Sequence, residues 1–264
     1  MTDFHVIAGG TARPEFPSVR KIGVNDLKAA LADGFGDFYA MPSHVVFIGM
    51  IYPIVGIVLT RVALGADVLP LVFPLATGFA LIGPFAAIGL YEMSRRREQG
   101  LDLSWWHVFD VLRSPSVGSI GGLAILLMLI FLGWLGTAQA IYQILFGLAP
   151  PVSITQFIHD LFGTPEGWKL IIWGNGVGFL FAVWVLSISV VSFPLLLDRD
   201  VGAAVAITTS VRVVLKNPLT MAVWGLIVAA LLLLGSLPFF FGLAVVVPVL
   251  GHATWHLYRR AVAR

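Results

Sequence analysis

Six long apolar stretches constrain the fold of this chain more than any other feature of its sequence. They cover approximately residues 44–64, 68–91, 117–135, 170–196, 219–234 and 239–257. A helix needs about 20 apolar residues to cross a hydrocarbon core roughly 30 Å thick, so stretches of this length are typical of transmembrane helices. The chain is 58% apolar and only 11% charged, whereas soluble domains are roughly 45–50% apolar and about 25% charged. The sequence therefore predicts an all-α, polytopic membrane bundle of six transmembrane helices.

The positions of the basic residues predict how this bundle is oriented. Fourteen of the 16 Lys and Arg residues precede the first stretch, follow the last one, or lie between the second and third or the fourth and fifth. Only Arg61 and Lys169 fall on the opposite side. Because Lys and Arg concentrate in cytoplasmic loops, both termini are expected in the cytoplasm. Residues 1–24 are polar, without a signal-peptide pattern, and are interpreted as a flexible cytoplasmic tail ahead of a membrane domain at 25–264.

Three short segments on the predicted cytoplasmic side have a helical hydrophobic pattern. The apolar positions are Leu27, Leu31, Phe35 and Phe38 in the first segment, Trp105, Val108, Phe109 and Leu112 in the second, and Ile207, Val211, Val214 and Leu215 in the third. Such amphipathic helices are typical of the membrane surface. An ordinary connector helix packed on the bundle would show the same pattern, so both interpretations stay open.

An internal repeat is indicated by a shift of 103 residues, which superposes Arg96 on Arg199 and Val108 on Val211. The same shift aligns Ser114-Pro115 with Asn217-Pro218, and both pairs suit the N-cap and first position of a following helix. The sequence thus predicts three parallel repeats, approximately 25–92, 101–198 and 203–258, each a cytoplasmic amphipathic helix followed by a helical hairpin. On the other side, Ser153 and Gln156 fit the capping box of a short helix.

Few polar residues inside the stretches suggest chemistry. His252 and His256 have i, i+4 spacing and, together with His44, are candidate metal ligands. The alternative is that these rings are ordinary residues of the membrane interface. Asn175 lies between Gly174 and Gly178, where an unwound pore-lining segment and close helix packing by small residues are both possible.

Two sequence stretches carry a family resemblance. Residues 89–98 read GLYEMSRRRE and residues 192–201 read SFPLLLDRDV. Together with Thr209-Ser210-Val211-Arg212 and Asn217-Pro218, they resemble a family of bacterial integral membrane proteins of unknown function, over about residues 20–260. Some members of that family are labelled cytochrome c oxidase subunits. The resemblance implies a bacterial inner-membrane location and a shared topology, and it supplies no catalytic residues.

The absence of chemical motifs shapes the functional expectation. The chain has no cysteine, all 14 acidic residues lie at or beyond the ends of the stretches, and no catalytic triad or phosphate-binding loop stands out. We therefore expect a non-enzymatic accessory, assembly or scaffold protein without a cofactor. Its partners would be the lipid bilayer and another membrane protein complex, with no nucleic acid. The alternatives are a small transporter or channel lined by the Asn175 segment, and a redox accessory subunit that uses His252 and His256.

Overall fold

The computed structural model describes residues 7–8, 16–41, 66–149, 151, 153–237 and 242–263, and within them the fold is all-α. The α-helices are α1 Val24–Ala40, α2 Val72–Phe79, α3 Gly83–Ala86, α4 Ile88–Glu98, α5 Val117–Phe146, α6 Ile154–Gly163, α7 Pro165–Ser189, α8 Ser192–Asp198, α9 Ala203–Lys216, α10 Pro218–Ser236 and α11 Leu243–Ala261. The 3₁₀ helices are Ala66–Leu71, Ala80–Ile82 and Trp105–Arg113. Strands β1 (Ile7–Ala8) and β2 (Arg199–Asp200) form one parallel pair.

Three of the described helical segments are long and apolar enough to cross a membrane: Val117–Phe146, Pro165–Asp198 and Pro218–Ser236. A fourth is reached if the broken pair Leu69–Gly78 and Gly83–Glu98 counts as one span. The predicted first span, with His44, lies outside the described residues. The predicted sixth span is helical as α11, but its last turns are polar and it is not among the apolar candidates.

Prolines interrupt two of the predicted spans, as their chemistry requires. The fourth span breaks between α7 and α8, and Pro194 occupies the first turn of α8, where its missing N–H is tolerated. The second span breaks before α3, which has Pro84 as its second residue. Pro248, in contrast, lies inside α11, and that helix continues through it.

The chain forms two compact units. The first comprises residues 1–49, 84–124 and 186–264, and the second comprises residues 50–83 and 125–185. In the first unit, α1 packs along α11, and α4 packs against α11 and against the 3₁₀ helix Trp105–Arg113. The backbones of α1 and α11 approach each other closely at Gly34, where a Cβ atom would stand 2.6 Å from the backbone nitrogen of Ala253. Only glycine fits there.

Alanine at position 34 is expected to destabilise the first unit, because its Cβ would force two helix backbones apart. Overpacking of this kind costs typically 1–3 kcal/mol. Gly36→Ala is the matched control, since a Cβ there meets only the end of the Arg97 side chain, at 3.7 Å. Thermal unfolding in detergent should show a lower midpoint for Gly34→Ala and little change for Gly36→Ala. Equal midpoints for the two variants would contradict the close packing.

In the amphipathic helices α1 and α9 of the first unit, the buried face coincides only in part with the apolar stripe of the sequence. In α1 the buried positions are Leu27, Ala30, Gly34 and Asp37, while Phe35 is 44% exposed. In α9 the buried residues include Thr209 and Ser210, and Leu215 is 73% exposed. Small and polar residues therefore face the helices, and part of each apolar stripe faces outward.

Part of the predicted tail is held against the helices of the first unit. Arg20 N–H donates to the Ala261 carbonyl (2.8 Å), and Ala263 N–H donates to the Ser18 carbonyl (2.9 Å). Asn217 sits at the N-cap position of α10, with Pro218 at its first residue, as predicted. Its side chain does not cap that helix, however. It accepts from Ile22 N–H (2.8 Å) and donates to the Arg20 carbonyl (3.1 Å), so it anchors the N-terminal segment.

The second unit is organised around Trp134 of α5. Its indole N–H donates to the Pro74 carbonyl (2.9 Å). A Cβ at Gly78 would lie 2.7 Å from the Trp134 ring, and one at Gly178 would lie 3.0 Å from it, so these two glycines make room for the indole. In the same unit Ser153 caps α6 by accepting from Gln156 N–H, which confirms that half of the predicted capping box.

Candidate functional site

Asp37 is the centre of a buried polar cluster in the first unit. It is 3% exposed, on the face of α1 that packs against α11. Its Oδ2 accepts from Ser94 Oγ (2.5 Å) and from His256 Nε2 (2.8 Å), while its Oδ1 accepts from Arg97 Nη1 (2.5 Å). One carboxylate therefore connects three helices, α1, α4 and α11.

His252 extends this cluster. Its Nδ1 lies 2.8 Å from Ser94 Oγ and 3.9 Å from Asp37 Oδ2. Since the Ser94 hydroxyl donates to Asp37, it is free to accept from His252. The result is a hydrogen-bonded chain from His252 through Ser94 to Asp37, with His256 on the other side of the carboxylate. Both His252 and Ser94 are buried.

Burial raises the pKa of Asp37, but hydrogen bonds from His256, Ser94 and Arg97 outweigh it and hold the pKa below the ordinary 3.8. A lowered carboxyl pKa stabilises the fold above the unfolded value, and this stabilisation is lost as the pH falls through the folded value. The wild-type unfolding midpoint should therefore fall more steeply than that of Asp37→Asn between about pH 5 and pH 3. If the unfolding midpoints of the two proteins fall in parallel with pH, the Asp37 carboxylate contributes no pH-dependent stability. The groups that face it are Ser94 and Arg97 from α4 and His252 and His256 from α11.

A second set of buried charges lies on α4 itself. Arg95 donates from Nε and Nη2 to the two oxygens of Glu92, at 2.7 and 2.9 Å, and both side chains are almost completely buried. Arg96 donates from Nε to the Asp102 carbonyl (2.7 Å) and from Nη1 to Asp110 (3.4 Å). The two Arg96 contacts connect α4 to the segment before the 3₁₀ helix Trp105–Arg113 and to that helix itself. A bidentate guanidinium–carboxylate pair is the geometry that best compensates buried charge.

The C-terminal end of α11 makes a third set of polar contacts. Tyr258 Oη donates to Asp198 (2.6 Å). Arg259 donates to Asp198 (3.1 Å) and to Glu98 (2.7 Å), and the Trp255 indole also donates to Glu98 (3.1 Å). The sequence stretches 89–98 and 192–201, which carry the family resemblance, thus meet at α11.

The structure brings two of the three predicted metal candidates together. His252 and His256 both lie within 4 Å of Asp37 Oδ2, while His44 is outside the described residues. Among the described residues, no group of three or more His, Cys, Asp or Glu side chains has metal-binding geometry. His252 and His256 thus remain a predicted metal site, and in the structure they contact Asp37 and Ser94.

The Asn175 segment lines a cavity of about 340 Å³ in the second unit. The cavity-lining residues are Phe73, Thr77, Gly78, Leu81, Trp134, Gly174, Asn175, Gly178, Phe179 and Ala182. Gly174 and Asn175 lie inside the continuous helix α7, so this part of the helix is not unwound. Gly178 contacts Trp134, which fits close packing, while Gly174 faces open space.

Sequence reasoning missed the Asp37 cluster and the buried ion pairs of α4. One signal was available within α4, where Glu92, Arg95 and Arg96 have the i, i+3 and i, i+4 spacing of helical ion pairs. The contact between Asp37 and His256 spans 219 positions of sequence and has no local signal.

The comparison with known proteins agrees with this architecture. Residues 72–198 match a family model described as "Predicted integral membrane protein (DUF2189)", which covers helices α2 to α8 and both resembling stretches up to Asp198. No curated protein and no solved structure matches the chain. The expected resemblance to a membrane protein family is confirmed over this narrower range. The chain is an integral membrane protein that is similar, across residues 72–198, to this family of unknown function.

Proposed function

We propose that the chain is a six-span protein of the bacterial inner membrane, built of three parallel hairpin repeats, with both termini in the cytoplasm. The strong Lys and Arg asymmetry supports this orientation. In this proposal the broken pair Leu69–Gly78 and Gly83–Glu98 counts as one span beside the three apolar helices, and α11 and the stretch at 44–64 are the other two. A green fluorescent protein fused after Arg264 should fluoresce in intact cells. A fusion that is active only as a periplasmic alkaline phosphatase reporter would contradict the orientation.

The proposed role is that of an accessory or scaffold protein for another membrane protein complex. The observation that carries it is the outward-facing apolar surface of the amphipathic helices in the first unit. The exposed side chains of this surface are Phe35, Tyr39, Trp106, Phe109, Leu112 and Leu215. Apolar faces of this kind, next to Arg and Lys, suit the level of lipid headgroups and the flank of a neighbouring membrane protein.

The buried polar groups support a structural role for the same unit. Asp37, Ser94 and His252 are buried and form one hydrogen-bonded set, and the buried Glu92 and Arg95 form a separate ion pair. Such networks rigidify a fold when all their members are satisfied. A first unit that is rigid and exposes apolar side chains suits the role of a scaffold.

Site-specific photocrosslinking combined with gentle extraction tests this role. A photoreactive phenylalanine at Phe109 should crosslink one defined membrane protein in native membranes, and mass spectrometry should find the same protein at fixed stoichiometry after extraction. Arg113, exposed on the same 3₁₀ helix, is the matched position for comparison and should crosslink that protein less. Crosslinks to lipid alone, with a protein that extracts by itself, would contradict the accessory role.

The cavity beside Asn175 favours a second candidate function, a small transporter or channel. Residues of the interrupted second span and of α7 line the same space. Substrate-dependent flux in proteoliposomes that is lost in Asn175→Leu would establish transport and displace the scaffold proposal. Unchanged flux in that variant would exclude the cavity as its route.

A further inference from the structure

The cavity of the second unit has the composition of a lipid-ligand site. Its volume of about 340 Å³ lies at the lower end of the range of roughly 300–1,000 Å³ for small-molecule sites. Aromatic rings form much of its wall, and Phe73 and Phe179 are 57% and 67% exposed, so the space opens at the surface of the helices. A ligand would therefore enter from the bilayer.

The wall of the cavity is built around fixed groups. Trp134 is held by its hydrogen bond to Pro74 and by the glycines on either side of its ring. Gly174 differs from these glycines, because a Cβ at that position would meet no atom of the described residues within 4 Å. The missing side chain at Gly174 leaves part of the space that a ligand would fill.

Thr77 and Asn175 are the polar side chains among the described residues that line this cavity. The hydrogen bonds that they already make determine which donors and acceptors remain for a ligand. Thr77 Oγ1 donates its proton to the Phe73 carbonyl (2.9 Å), so its oxygen remains an acceptor. Asn175 Nδ2 donates to the Ile171 carbonyl (2.7 Å), which fixes the amide orientation and leaves Oδ1 and one N–H available. Together they offer acceptors and one donor, which is the complement of a hydroxyl group.

We propose that this cavity binds a lipophilic alcohol, with its hydrocarbon chain against Phe73, Trp134 and Phe179 and its hydroxyl hydrogen-bonded by Asn175 and Thr77. Asn175 keeps its amide oxygen and one N–H beyond its hydrogen bond to Ile171, and the ligand hydroxyl would bind to these groups. The inference goes beyond the accessory role. It names the ligand class for the cavity, whether the molecule is transported or retained.

Photolabelling of the purified full-length protein in lipid nanodiscs tests the assignment. The probe is a hexadecanol that carries a diazirine in its chain, and the comparison probe is its methyl ether. The alcohol should label peptides around residues 72–82 or 171–182, with unlabelled hexadecanol as competitor, and the ether should label them far less. Asn175→Leu should reduce labelling about fivefold to tenfold, the equivalent of one lost hydrogen bond, and Thr77→Val should also reduce it.

Gly174→Leu and Gly176→Leu provide the matched pair for the cavity itself. Within the described part of the chain, a Cβ at either glycine has no neighbour within 4 Å, and of the two only Gly174 lines the cavity. Filling the space in Gly174→Leu should abolish labelling, while Gly176→Leu should label like the wild type. Equal labelling by alcohol and ether, or equal labelling of the two glycine variants, would overturn the proposal. If Gly174→Leu does not fold, the Asn175→Leu and Thr77→Val measurements decide. A negative result in this labelling experiment would not change the crosslinking result expected for the accessory role. The two proposals can therefore be tested separately.

Discussion

Asp37→Asn is expected to lower the thermal unfolding midpoint of the protein by roughly 6–12 °C. Removing one partner of a buried ion pair costs about 3–5 kcal/mol, and each kcal/mol shifts the midpoint of a chain of this size by roughly 2–4 °C. The Asp37 side chain is 4% exposed, but Arg97 is 39% exposed, so solvent screening places the loss near the lower end, about 3 kcal/mol. The variant keeps the shape of the side chain, removes its charge and replaces one acceptor oxygen by an amide N–H donor.

Asp33→Asn is the control for this prediction. Asp33 lies one turn earlier on α1, its side chain is 47% exposed, and it pairs with Arg260 at 2.6 Å. Exposed ion pairs contribute only about 0.2–1 kcal/mol, so its midpoint should change by no more than about 3 °C. Circular dichroism of both variants in the same detergent is the measurement. If the two substitutions have equal effects, the Asp37 cluster does not connect the helices as described.

Glu92→Gln is expected to be about as damaging as Asp37→Asn or more so, whereas removing both partners of its ion pair should be much milder. The single change leaves the buried Arg95 guanidinium without its carboxylate, which costs about 3–5 kcal/mol. In Glu92→Met/Arg95→Met neither charge remains, and apolar replacement of a buried ion pair is often neutral or stabilising. The double variant should therefore be more stable than Glu92→Gln.

The exposed pair Glu166 and Lys169 has the same i, i+3 spacing and serves as a comparison, with side chains 45% and 56% exposed. Glu166→Gln should change the unfolding midpoint by no more than about 3 °C. A Glu92 and Arg95 double variant that loses the sum of the two single effects would mean that the two side chains do not act as a pair.

The helical framework could be predicted because its signals are local. The periodicity of residues 204–216 predicted α9, and Asn217-Pro218 marked the start of α10. Helix caps, proline and hydrophobic period act within a few residues of chain, so a single sequence is sufficient to read them.

The contacts between helices could not be predicted in the same way. Leu27 and Phe35 belong to one apolar stripe in the sequence, yet Leu27 is buried and Phe35 is exposed. In water the stripe would turn inward, but in a membrane protein lipid is as apolar as the interior, so small and polar residues can occupy the helix contacts instead. Asn217 shows the same limit, because its partners Ile22 and Arg20 lie almost 200 positions away.

Hydrogen–deuterium exchange of α1 tests most directly the central claim that the buried polar cluster binds the first described helix to the last one. In wild-type protein in lipid nanodiscs, the amides around residues 27–37 should be protected as strongly as those of α11. In Asp37→Asn this protection should fall, while the amides of α10 keep theirs. Wild-type α1 that exchanges as fast as an isolated helix, or protection that is unchanged in Asp37→Asn, would contradict the account.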